Sequence, residues 1–254
     1  MSCILVFYLA VSAVSLHRPS ADADRVSASS TIAQDSADPD ALYAKRDDIA
    51  SAQQAARVWQ SRLKHNPNDF ESAWKLAKAT YWIGTQGPEA QRRATLEQGI
   101  TAGRTATKLE PNRPEGHMWL AANMGALAES FGLRQGLKYR GEIKSELETV
   151  LRLDPGFQKG SADRALGRWY LKVPGLFGGS DKKSEEHLRK SLTYDNNSTV
   201  SHFFLAETLF DLNRDTEAIE ELKKVLAVPT DPEWEAEDRE YKQKSTELLK
   251  QKQK

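Results

Sequence analysis

The chain has 254 residues, with 36 basic and 36 acidic side chains; 28% of residues are charged and 39% hydrophobic. That is enough for one sizeable domain or two small ones, and the even charge balance gives no bulk pull toward nucleic acid or an anionic membrane. A single cysteine, Cys3, excludes an intrachain disulfide and a thiolate metal cage.

Residues 3–16, CILVFYLAVSAVSL, are apolar and uncharged, and HRPSADADRVSASS after them is polar and small. The apolar run is short for a membrane span, which needs about 17–25 residues. It suits the h-region of a signal peptide, although a positive n-region is missing. The expectation is a signal peptide over 1–23, cleaved after Ala21-Asp22-Ala23, with Val11-Ser12-Ala13 as a second candidate. A flexible linker over 24–37 follows, and the mature chain would be exported, periplasmic and free of cysteine. It would meet a membrane only if the segment were retained.

From Asp38 the pattern is helical, with no sustained strand alternation and no Asn-Gly hairpin. One phrase recurs: LKHNPND (63–69), TKLEPNR (107–113), LRLDPGF (151–157) and LTYDNNS (192–198). Pro67, Pro111 and Pro155 stand 44 residues apart, and Asn196 follows 41 further on. Proline cannot continue a helix, and Asn and Asp favour the turn and the next N-cap. A helix–turn–helix repeated at this period predicts an α-solenoid, whose units bury their apolar faces only by stacking.

The first unit is degenerate, with Leu42, Ala55, Trp59 and Pro67 as its marks. The second carries AWKLAKATYWIG (73–84) with Leu76-Ala77, and its excess length over 85–106 predicts a long second helix starting at Pro88. The third has HMWLAANMG (117–125) with Leu120-Ala121 and an excess near 129–144. In the fourth, LGRWY (166–170) puts small Gly167 where two helices approach and Tyr170 one turn later, with Ser184, Leu188 and Ser191 on the second helix. Its insertion, VPGLF (173–177), holds Leu176 and Phe177. Burying each is worth about 1.5–3 kcal/mol, so the loop should fold back on its own chain or onto a partner. The fifth unit, LAETLFDLNRDTEAIEELKKVL (205–226), has Leu205, Ala206, Leu209, Ala218, Leu222 and Val225 as core positions and Asn213 in the turn. A last helix is expected over 232–250, with Asp231 as N-cap, Pro232 at N1, and Trp234, Tyr241, Leu248 and Leu249 near one face, sealing the fifth unit.

These motifs resemble tetratricopeptide repeats (TPRs) over about 38–230. The expected fold is all-α: one domain over 38–254, an α-solenoid of five TPR-like hairpins, three with insertions, plus a C-terminal capping helix. The enlarged units RPEGHMWLAANMGALAESFGLRQGLKYRGEIK (113–144) and GRWYLKVPGLFGG (167–179) are similar to the TPR component of TRAP-type transporters. The same layout also resembles the regulator of microtubule dynamics proteins. The first resemblance implies an exported scaffold, compatible with a homo-oligomer, that partners a periplasmic solute-binding protein.

The sequence lacks H-E-x-x-H, C-x-x-C, G-x-G-x-x-G and the P-loop. His65, His117 and His202 have no acid or nucleophile at a recognisable spacing, and Glu185-Glu186-His187 reads as a charged helix face. The expectation is a non-enzyme with no cofactor and no metal. The TPR resemblance implies a concave wall lined by each unit's first helix. That places Trp74, Lys78, Tyr81 and Trp82 on it from unit two, and Met118 and Ala122 from unit three. Unit four supplies Arg164, Arg168 and Lys172; unit five supplies Phe203, Glu207, Phe210 and Asp211. Aromatics and cations of this kind suit an anionic or extended ligand, unless the insertions or the last helix cover them. The expected function is a scaffold for a partner protein. The alternative is a carrier of an acidic or apolar small ligand in a cavity closed by the inserted segments.

Overall fold

Short polar side chains set where several helices begin, because they take up N–H groups that the first turn leaves free. Asp38, Asp48, Asp69, Ser180 and Ser198 each accept a backbone N–H at such a start. The computed structural model describes residues 38–252, and the expected signal peptide, its cleavage site and the linker lie outside them. The helices are α1 (Pro39–Tyr43), α2 (Ile49–His65), α3 (Phe70–Gln86), α4 (Glu89–Leu109), α5 (Pro114–Phe131) and α6 (Leu133–Leu153). They continue as α7 (Phe157–Lys172), α8 (Asp181–Tyr194), α9 (Thr199–Asp211), α10 (Asp215–Ala227) and α11 (Glu235–Lys252), with a 3-10 turn at Gly175–Phe177. No strand occurs among the described residues.

Each helix packs on the next, and first helices also meet across units, α3 on α5 and α7 on α9. That is the solenoid the repeated phrase predicts, with the long second helix of unit two following Pro88 as expected. The core is built in three blocks. One runs from Tyr43 to Trp119, one from Leu96 to Tyr170, and one from Leu188 to Leu249. The first two blocks share α5, and the second and third meet where Leu188 presses on Gly167. A Cβ at Gly167 would lie 2.5 Å from Leu188 Cγ, so only glycine permits this approach. Ser184, Leu188 and Ser191 are fully buried, as the repeat register requires. The two serines are satisfied by Thr208 and Ser201 at 2.8 Å.

Two expectations need correction. The insertion folds back only in part: Ser180 N–H donates to the Tyr170 carbonyl at 2.9 Å and Val173 joins the core. Phe177 lies under the Arg140 guanidinium, but Leu176 is 90% exposed. The last helix starts at Glu235, and Asp231 is not its N-cap. Asp231 instead closes a turn onto Glu233 N–H, while Lys159 holds its other oxygen at 2.8 Å. The helix also does more than seal the fifth hairpin. It packs on α9 and α10 and reaches back to the first two hairpins through Arg46, Asp47 and Gln86.

Candidate functional site

Trp74, Lys78, Tyr81 and Trp82 recur at helical spacing, so they form one stripe of α3. Trp82 is buried, and its indole N–H donates to the Arg46 carbonyl at 2.7 Å. Tyr81 is half-buried and tilts against Trp119 at 5.8 Å; burial, with Glu129 and Glu240 nearby, pushes its hydroxyl up to about 12. The Lys78 ammonium stands 5.0 Å from the Tyr43 ring and 5.7 Å from the Trp119 ring, a cation between two aromatic faces. Burial first, then the charge of Arg46, lowers its pKa, against the pull of Glu237. The indole nitrogens of Trp74 and Trp119 are buried with no hydrogen-bond partner among the described residues.

On α5, Met118 is core, in contact with the Ser161 hydroxyl at 3.5 Å, and Ala122 packs against the first block. On α7, Arg164 is half-buried, and Lys172 keeps part of its side chain in solvent. Arg168 is held at both ends: it forks onto Glu129 of α5 at 3.1 Å and pairs with Glu207 of α9. Lys172 adds a longer contact to Glu207 at 3.5 Å. On α9, Phe203 is buried against Tyr241 of α11, ring centres 5.3 Å apart. The Phe210 ring lies 4.3 Å from the Lys252 ammonium, and Asp211 is exposed.

The helix facing this wall is α11. Its Glu237 accepts from Arg46 at 2.6 Å, Glu240 from Gln86 at 2.9 Å, and Asp238 from the Thr199 hydroxyl at 2.6 Å. Arg239 reaches Asp47 at 2.5 Å, and Ala236 packs on the first core block while Tyr241, Leu248 and Leu249 pack on the third. Several of the aromatic and cationic side chains expected on this face are met by the chain's own C-terminal helix. Trp82, Met118 and Phe203 are spent on the interior and offer a partner no surface, which corrects their expected role. Of the three cations expected from unit four, Arg168 is paired with two carboxylates and Lys172 shares one of them, while Arg164 has no ion pair among the described residues.

Residues 118–254 match the profile of the TRAP transporter T-component, and residues 37–176 match that of regulator of microtubule dynamics protein 1-3, each more than half of the chain. The chain belongs to the TRAP transporter T-component family. It meets the second family by the same measure, and the two matches overlap from α5 to the end of α7 and its insertion. A thermophilic TPR protein of Thermus thermophilus superposes with TM-score 0.63 and 21% identity, covering 83% of this chain and 97% of that one. MamA (residue 41 to the end) of Desulfovibrio magneticus RS-1 gives TM-score 0.51 and 19% identity, covering 76% and 96%. At such identities the two structures speak for the TPR fold alone. No curated protein sequence matches the chain.

Two recurring features of this T-component chain escaped the sequence. His117 pairs with Glu146 and with the Pro111 carbonyl; His202 pairs with Glu221 and with the Asn196 carbonyl. In both, the carbonyl lies six residues upstream, in the repeated turn phrase, and that shared offset was the available signal. Among the described residues no cluster of three His, Cys, Asp or Glu side chains could hold a metal, and no helix is long and apolar enough to cross a membrane.

Proposed function

We propose that this chain is a non-enzymatic, exported scaffold that holds a partner protein at its inner wall as a periplasmic accessory of a TRAP-type uptake system. A solute-binding protein is the fitting partner. One observation carries the reading: this face already holds a helix, α11, whose acidic first turns are gripped through Arg46, Gln86 and Thr199, as a TPR groove binds a guest. Family membership supports the transport setting. Around α11, Trp74, Lys78, Tyr81, Arg164, Lys172, Glu207 and Phe210 keep some exposure, and with α11 they would form the composite surface a partner meets.

The test is binding of the purified full chain to the solute-binding protein of a TRAP system from the same organism, by calorimetry. Binding that weakens by about tenfold in a Lys172→Ala/Phe210→Ala variant is the expected result, a difference of about 1.4 kcal/mol. No binding, or binding indifferent to that variant, removes the proposed surface. The second reading, a carrier of a small ligand, draws support from a cavity beside Arg164 rather than from the inserted segments.

A further inference from the structure

Where α7 begins, the backbone turns left-handed for three residues in a row: Gln158 (φ 45°, ψ 50°), Lys159 (φ 56°, ψ 46°) and Gly160 (φ 75°, ψ 31°). Glycine takes this conformation freely, but Gln and Lys do so under strain. Strain of this kind gathers at functional sites, and both strained residues line a cavity of about 300 Å³. The start of α9 and the segment from Pro229 to Asp238 form its other walls. The volume suits a small ligand.

The charges in the cavity do not all cancel internally. Lys159 is committed to Asp231 at 2.8 Å, and Glu237 to Arg46 at 2.6 Å. Asp238 accepts from two neutral donors, the Thr199 hydroxyl and the Asp231 N–H. Arg164 lines the cavity with no hydrogen bond or ion pair among the described residues, and burial lowers its pKa. Asp195 also lines it; its carboxylate accepts only the Asn197 N–H at 3.1 Å, and it is near enough to favour the charges of Arg164 and Lys159 without forming an ion pair with either. A charge withdrawn from water without a partner is costly. The site therefore has a guanidinium with no direct ion pair, which fits a carboxylate in bidentate fashion, and near it a carboxylate that also lacks one. A dianion such as phosphate is disfavoured, because Asp195, Glu237 and Asp238 share the lining.

We propose that this cavity binds a free α-amino acid as its zwitterion, the ligand carboxylate on Arg164, its ammonium toward Asp195, and its side chain against Val200 and Trp234. This inference does not rest on the scaffold reading: a chain that holds an amino acid and no partner protein, or the reverse, tells the two apart.

The experiment is calorimetric titration of the full chain with L-leucine, 4-methylpentanoate and 3-methylbutylamine. The two analogues lack the ammonium and the carboxylate respectively. Leucine should bind at about 1 mM or tighter, and each analogue about tenfold more weakly. Arg164→Met and Asp195→Asn should each weaken leucine by about tenfold, and Arg164→Lys by less. Circular dichroism reports whether the variants remain folded; if Arg164→Met does not, Asp195→Asn and the two analogues carry the test. No heat with leucine, an analogue binding as tightly as leucine, or folded variants that bind unchanged would overturn the assignment.

Discussion

Glu237 of the last helix accepts a hydrogen bond at 2.6 Å from Arg46, which lies 191 positions earlier in the chain. Arg46 also donates to the Glu233 carbonyl at 2.9 Å, and its guanidinium spreads over the Trp82 and Tyr43 rings. One side chain thus fixes the start of α11 to the opposite end of the solenoid. Both partners are largely shielded from water, so removing one leaves the other poorly solvated. Glu237→Ala should cost about 1–3 kcal/mol by chemical denaturation. Hydrogen exchange should show faster exchange concentrated in 235–252, with α4 and α6 unchanged. Uniform acceleration across all helices would mean that α11 is an inseparable part of the fold and not a guest in the groove.

Arg168 makes a second prediction. Its two carboxylates, Glu129 and Glu207, each lie 39 residues away, one in the preceding unit and one in the next. The contact therefore joins equivalent places on three successive first helices, α5, α7 and α9. Burial alone would lower the Arg168 pKa; the two carboxylates outweigh it and raise it. Arg168→Met should lower stability by about 1–3 kcal/mol. Arg168→Lys should recover little of this, because an ammonium cannot fork onto two acceptors in fixed directions. A full recovery with lysine would show that charge alone, not the planar fork, holds the three helices.

The repeat was legible because its marks are local. Proline, Asn and Asp in the turn phrases, and Gly167 against Leu188, each act on their own few residues or on the adjoining helix. The inner wall was legible as a stripe but not as a state. Nothing in Trp82 or Phe203 as residue types shows that Arg46 and Tyr241 cover them, since those partners stand 36 and 38 positions away and on different units. Arg168 shows the same limit, for a cation reads as free until the acids of the neighbouring units are placed beside it. The start of α11 was missed for a physical reason as well. Asp231 and Pro232 have the chemistry of a helix start, but Lys159 and the Glu233 N–H draw the Asp231 carboxylate into a separate turn.

Gly167 gives a packing test with an internal control. A methyl at this site must displace Leu188, which is itself fully buried, so Gly167→Ala should destabilise by about 1–3 kcal/mol despite its better helix propensity. Gly141, exposed on α6 with nothing within 4 Å of an added Cβ, should respond in the opposite sense. Gly141→Ala should gain up to about 1 kcal/mol from propensity alone. Urea denaturation of both variants reads the difference, and equal signs would refute the close approach of α7 to α8.

The histidine pairs predict the shape of the pH profile. Both ring nitrogens of His117 face acceptors, the Glu146 carboxylate and the Pro111 carbonyl, so only the doubly protonated ring satisfies both. Burial pulls the His117 pKa down, but those two hydrogen bonds and the Glu146 charge outweigh it and hold it above 6.5. Its contribution is therefore complete below 6.5 and is lost as pH rises through the folded value. Glu221 works in the other direction. Burial raises its pKa, yet the hydrogen bonds from His202 and Lys224 lower it below 4.5, so its contribution is present above 4.5 and lost as pH falls through the folded value. Stability measured by urea denaturation should fall on both sides of this window. His117→Gln should flatten the alkaline limb and lower the plateau by about 1–2 kcal/mol, leaving the acid limb in place. An alkaline limb of undiminished slope in that variant would assign the loss to some other group.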